Sequence, residues 1–198
     1  MRVVVATGNP GKLAELRDLL GDAGLELVAQ SELGIAEVDE TGTTFVENAI
    51  IKARHAARAA GLPALADDSG LLVDALGGAP GLYSARYAGP RATAADNIAR
   101  LLQALEGVPD DRRAARFHAC IVLLRHGEDP VPLIAEGTWP GRILQAPRGA
   151  GGFGYDPVFF DPAQDASAAE LAEALKNRIS HRGRAVAALR ERLASMPR

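Results

Sequence analysis

The chain opens with Val3-Val4-Val5-Ala6 followed by Thr7-Gly8-Asn9-Pro10-Gly11-Lys12, and no other segment restricts the fold as tightly. A short β-branched run ended by turn residues reads as a buried strand. Asn9 can cap a helix, and Pro10 suits the first helical position, where no amide hydrogen is needed. Leu13, Leu16, Leu19 and Leu20 follow at helical spacing. The segment therefore reads as strand, glycine loop and helix in immediate succession.

The rest of the chain continues the interleaving. Leu25–Val28 alternates and reads as a second strand. Thr44 and Glu47 have capping-box spacing, and a helix runs from there to about Ala60, where Gly61 ends it. Leu65–Asp67 reads as a short strand entering Asp68-Ser69-Gly70, and residues 77–81 as a loop. Thr93 and Asp96 open a helix carrying Ile98, Leu101, Leu102 and Leu105. Strand formers dominate from Arg116 to Leu124. After the turn at Pro130 and Pro132, two separate strand-like segments lie near Leu133–Ala135 and Arg142–Leu144. Val158–Phe160 is strand-like again, and the last quarter is helical, with an apolar stripe of Val186, Leu189, Leu193 and Met196. Such alternation favours an α/β class with a mixed sheet.

Composition narrows the functions open to such a chain. Its 198 residues are 47% apolar and 24% charged, the balance of a globular protein large enough for one domain or two lobes sharing a cleft. A formal net charge of −3 lacks the basic excess that a nucleic-acid backbone calls for. A nucleotide needs only a few local cations. Cys120 is the only cysteine, so no intrachain disulfide can form. No stretch approaches the ~20 apolar residues of a membrane span, and the N-terminal apolar run is too short for a secretory signal. The expectation is a cytoplasmic protein with neither nucleic acid nor membrane as partner.

Three polar, glycine-rich clusters stand beside predicted strand ends, where α/β proteins collect their ligands. In Thr7–Lys12, small residues let an anion approach the backbone, and the helix start and Lys12 add positive charge. The loop is not a Walker A motif: its spacing is shorter and Leu13 follows the lysine. In Asp67-Asp68-Ser69-Gly70, two carboxylates can hold a hard cation or accept a proton from water. An extended backbone would point them to opposite faces, so one alone should serve a pocket; an ordinary acidic turn is the plainer alternative. Glu40 supplies a further carboxylate, and Asn48 and Lys52 share a helix face. In Gly149–Asp156 the first six residues match G-x-G-x-x-G, but Pro147 precedes them and an apolar run follows, which excludes a dinucleotide fingerprint. A loop presenting Phe153 and Asp156 suits a planar base, while core positions for Phe153 and Tyr155 are equally compatible. Lys176 to Arg182 adds cationic and imidazole donors or a basic helical surface. His55, His118 and His126 complete no metal set.

Taken in order, these segments resemble the inosine/xanthosine triphosphate pyrophosphatases, the Ham1-like or RdgB-like proteins. The landmarks are Thr7-Gly8-Asn9 with Lys12, Phe45 with Glu47-Asn48-Ala49 and Lys52-Ala53, and Ala66–Leu71. They continue through Gly77–Gly81, Tyr83–Tyr87, Gly152–Pro157 and Ser180-His181-Arg182. Leu175 stands where relatives often carry an acid. The resemblance spans nearly the whole chain and implies a mixed, twisted α/β sheet with flanking helices, one pyrophosphatase domain over residues 1–198 with two lobes around a deep central cleft, usually a homodimer. It implies that Thr7, Gly8, Asn9, Pro10, Gly11, Lys12 and Lys52 bind the triphosphate of a purine nucleotide, that Glu40 and Asp68 hold Mg2+, and that Asp68 is also the proton acceptor. Ser69 would touch substrate, and Phe153, Gly154, Tyr155, Asp156, Lys176, His181 and Arg182 would hold the base. The implied activity is cleavage of dITP, ITP or XTP to the monophosphate and pyrophosphate. A pyrimidine-specific pyrophosphatase of the Maf type and a nucleotide-binding regulator without turnover are the alternatives. An RNA-binding domain is disfavoured by the acidic balance.

Overall fold

The structure is a computed structural model and describes residues 1–195, so Met196 of the predicted stripe lies outside the described residues. The strand–loop–helix expected at the start is present as β1 (Arg2–Val5) and α1 (Pro10–Leu20), with β2 (Glu26–Ala29) beyond them. Both capping boxes form: Thr44 with Glu47 opens α2 (Phe45–Ala60), and Thr93 with Asp96 opens α3 (Ala94–Ala104). Gly61 ends α2 at φ 64°, a left-handed conformation that a side chain would resist.

Two strands are longer than the sequence pattern suggests. β3 runs unbroken from Ala64 to Val73. Asp67, Asp68, Ser69 and Gly70 are thus mid-strand, not the turn at its end. Such residues are weak strand formers, but each aspartate is met by cations from another element, as described below. β5 (Leu133–Ile143) likewise joins the two segments expected to be separate, passing through Gly137 and Pro140. The short β6 (Phe159–Asp161) pairs with β5 only at Arg142 and Ile143, so the missing N–H of Pro140 falls outside that pairing. β4 (Ala114–Leu124), β7 (Ala166–Ser167), α4 (Glu173–Ile179) and α5 (His181–Ala194) complete the chain.

The sheet order is β2-β1-β3-β4-β5-β6-β7. β1 is parallel to β2 and β3, whereas β6 is antiparallel to β5 and β7, so the sheet is mixed. The chain forms two compact units, the first from Met1–Asp68, Ala119–Gly137 and the chain from His181 onward, the second from Ser69–His118 and Thr138–Ser180. β3, β4 and β5 contribute residues to both.

In the first unit the alternation of each strand sorts its residues between two cores. Val3, Val5, Leu65, Ala119, Ile121 and Leu123 pack with Leu16 and Leu20 of α1 and with Val186 and Leu189 of α5. Their neighbours Val4, Ala6, Ala64, Ala66, Cys120 and Val122 pack with Ala49, Ala53, Ala56 and Ala57 of α2. By the same period, Asp67 belongs to the α1/α5 face and Asp68 to the α2 face. The second unit has its own core, where Phe117, Trp139 and Phe159 meet Leu71, Val73, Leu101 and Leu105.

Candidate active site

Asn9 occupies the N-cap of α1, and its Oδ1 accepts from the amides of Gly11 (2.9 Å) and Lys12 (3.1 Å), while Thr7 Oγ1 accepts from the Asn9 amide. The first-turn amides are thus engaged by the cap. What the loop offers an anion is its exposed surface at Gly8 to Pro10, the positive end of the helix and the lysine. A Cβ at Gly8 would collide with the carboxylate of Glu37, so glycine lets that side chain lie against the loop.

On the α1/α5 face, Lys12 Nζ lies 3.0 Å from Asp67 Oδ2. The same carboxylate oxygen accepts from Arg182 Nη2 at 3.1 Å, and Arg182 Nη1 binds Glu15. The four groups alternate in sign and are largely buried, as a desolvated charge cluster must be. Burial alone would raise the Asp67 pKa, but Arg182 and Lys12 reverse this and hold it far below the usual carboxylate range. Burial lowers the Lys12 pKa, and Asp67 offsets that only in part. Arg182, which the resemblance places at the base, has these two carboxylates as partners in the first unit. Glu15 escaped the sequence reading. The available signal was an acid three residues after Lys12, between Leu13 and Leu16.

On the α2 face, Lys52 Nζ lies 2.8 Å from Glu40 Oε1 and 2.9 Å from both Asp68 Oδ1 and the Asp67 carbonyl oxygen. The capped helix supplies Lys52, β3 supplies Asp68 and the segment before α2 supplies Glu40. Burial raises the Asp68 pKa by more than Lys52 lowers it, leaving a carboxylate with increased affinity for a proton. Lys52 is shifted up: burial opposes this, but Asp68 and Glu40 outweigh it. Ser69, the next residue of β3, is half-buried.

The second unit gathers the other candidates. Asp156 Oδ2 accepts from the Phe153 amide (2.8 Å) and from Lys176 Nζ (2.7 Å), and that ammonium stands 5.0 Å from the centroid of the Phe153 ring. Gly152 and Gly154 have φ of 70° and 61°, which folds the loop tightly enough to bring Asp156 back to Phe153. Phe153 stays half-buried, whereas Tyr155 joins the core and donates its hydroxyl to the Ser84 carbonyl. His181 heads α5 in the first unit and is buried. All three lysines of the chain, Lys12, Lys52 and Lys176, are thereby ion-paired to an aspartate of these clusters.

A lysine at the mouth of a strand–loop–helix, with two carboxylates gathered on a second lysine one strand away, defines an α/β protein fitted to hold a polyanion together with a cation. Residues 3–192 match the Ham1 family, and the chain belongs to it. It is 64% identical to the dITP/XTP pyrophosphatase of Xanthomonas campestris pv. campestris (strain 8004) over 191 residues, 96% of each chain. Against the dITP/XTP pyrophosphatase of Escherichia coli O157:H7 it is 59% identical over 192 residues, covering 97% of this chain and 98% of the relative. The solved HAM1 protein of Coxiella burnetii has a TM-score of 0.91 at 50% identity, over 99% of this chain and 100% of that one.

Proposed function

We propose that this chain hydrolyses non-standard purine nucleoside triphosphates, dITP, ITP and XTP, to the monophosphate and pyrophosphate, with Mg2+ as cofactor. The observation that carries the reading is the convergence of Glu40 and Asp68 on the Lys52 ammonium. Relatives named dITP/XTP pyrophosphatase, matched over nearly their whole length, support the substrate class. The donor set fits a hard cation: two carboxylates that carry a positive charge between them, with no larger metal cluster among the described residues. Phosphate oxygens and water would complete the shell, as magnesium prefers. Bound there, the ion would neutralise charge on the phosphate oxygens.

Asp68 orients and deprotonates a water that attacks the α-phosphorus in line. The water oxygen bonds to that phosphorus, the bond to the bridging oxygen breaks, and pyrophosphate leaves with the electron pair. The proton passes to Asp68 and then to solvent. Lys12 and Lys52 oppose the charge that grows on the leaving group. Phe153 offers a ring face to the base, with Lys176 and Asp156 beside it. A protein donor aimed at the 6-oxo group would reject adenine, and such mismatches discriminate by up to about 10⁴-fold in a desolvated site. A homodimer and a cytoplasmic setting belong to the same proposal, the former tested by sedimentation.

The test is a panel of dITP, XTP, dTTP and UTP assayed for pyrophosphate with Mg2+ and with chelator. Pyrophosphate from the purines, lost with chelator, is the expected result. Preference for the pyrimidines would point to the Maf-type activity, and binding without turnover to a regulator. Asp68→Asn should retain binding and lose roughly 10²–10⁴-fold in turnover; a near wild-type rate would remove Asp68 from the chemistry.

A further inference from the structure

We infer that Lys52 is a placeholder cation: its ammonium holds Glu40 and Asp68 in the position a divalent ion takes, and it transfers to the triphosphate when that ion arrives. The inference rests on the metal and phosphate roles proposed above and concerns how the two ligands are coupled.

The geometry sets up a conflict of duties. An ammonium has three protons to donate. Lys52 directs all three to protein oxygens, Glu40 Oε1, Asp68 Oδ1 and the Asp67 carbonyl, at 2.8 to 2.9 Å. In this arrangement it has no donor for a phosphate. Glu40 Oε1 and Asp68 Oδ1 in turn cannot accept the ammonium and coordinate a dication at full strength together. Clasping phosphate and bridging the carboxylates are therefore alternatives for one side chain.

The residue type fits an exchange. Lysine carries a compact charge on a flexible stem, whereas arginine presents a rigid fork. Of the 22 basic residues of the chain only three are lysines. Arg182 is the contrasting case, a guanidinium fixed between Glu15 and Asp67. Without Lys52, two partly buried carboxylates would lose the cation that both contact, which is costly. The lysine balances their charge and leaves when a better cation is offered.

The consequence is linkage. A metal ion bound between the carboxylates repels the Lys52 ammonium from them, and a triphosphate alone must pull Lys52 away. Each therefore binds more tightly once the other has moved the lysine, and the coupling is reciprocal.

Two measurements on the full chain test this without turnover. In protein labelled with 15N-lysine, three side-chain ammonium signals are expected. Mg2+ added without nucleotide should displace that of Lys52. In Mn2+ titrations followed by electron paramagnetic resonance, Lys52→Met should tighten metal binding about tenfold or more. Lys12→Met, which removes a neighbouring charge with no contact to Glu40, should tighten it less. Glu40→Gln should weaken binding in every background. If Mn2+ binding depends on Glu40 but is unchanged or weaker in Lys52→Met, the placeholder is overturned and the metal site stands. If no Glu40-dependent binding occurs in either protein, the metal reading fails and this inference with it. Should Lys52→Met not fold, the Lys52 signal decides alone: a signal that stays put while metal binds refutes the exchange.

Discussion

Gly137→Ala should damage the first unit far more than the loss of one hydrogen suggests. A Cβ at this position of β5 would stand 2.5 Å from the Ala185 amide nitrogen and 2.9 Å from Arg184 Cβ, and would collide with the His181 carbonyl. Ordinary contact is 3.4–4 Å, and two of these three neighbours are backbone. The first turn of α5 must therefore retreat by about 1 Å. Arg182 lies in that turn, with Nη2 3.1 Å from Asp67, so the retreat takes a charge-assisted hydrogen bond beyond its useful range. Overpacking costs about 1–3 kcal/mol, and weakening a buried charged hydrogen bond adds about 1.5–3 kcal/mol. The sum, about 2.5–6 kcal/mol, corresponds to a fall of roughly 5–24 °C in Tm for a chain of this size. Hydrogen exchange in α5 reads the first unit directly, whereas the fluorescence of Trp139 reads the second, where it is buried against Phe159 and donates to Asp161. Early exchange throughout α5, with weaker retention of Lys12 on Asp67 and a lower kcat/KM, is the expected result. A variant within about 1 kcal/mol of wild type, with α5 protection intact, would refute the idea that this helix rests on the glycine.

Asp129 is held well below the usual carboxylate range, chiefly by the Arg125 side chain and also by the amides of Arg125 and Val131. A depressed folded pKa means its contribution is complete above about pH 4 and is lost as pH falls below that; Asp129→Asn should thus lower the Tm at neutral pH, with the gap to wild type closing in acid. Cys120 is fully buried and its thiol is pushed up to about 12, so it should resist a thiol reagent in the native protein and react as the chain unfolds. Fast labelling in native buffer would show that the core around it opens. Phe153→Ala should raise KM for dITP with little change in kcat if the ring only stacks on the base, and an unchanged KM would remove it from the binding site.

The sequence alone determined whatever depends on neighbours along the chain. Asn9 and Pro10 opening α1, the two capping boxes and Gly61 closing α2 need only residues within one helical turn, so local spacing specified them. The opposite facing of Asp67 and Asp68 was equally legible, because side-chain alternation is a property of any extended backbone. Tertiary structure decided the rest. Whether β3 would stop at Asp68 or run on to Val73 could not be read locally, since Asp, Ser and Gly argue against a strand until Lys12, Arg182 and Lys52 arrive to neutralise the acids. The joining of β5 through Gly137 depended likewise on a helix almost fifty residues away in sequence, which needs a position with no side chain. Arg182 and Glu15 are 167 residues apart, and no spacing rule links them. Local chemistry named the charged groups; only folding could choose which of them would neutralise one another, because that choice is made by proximity in space and by the cost of burying a charge without its partner.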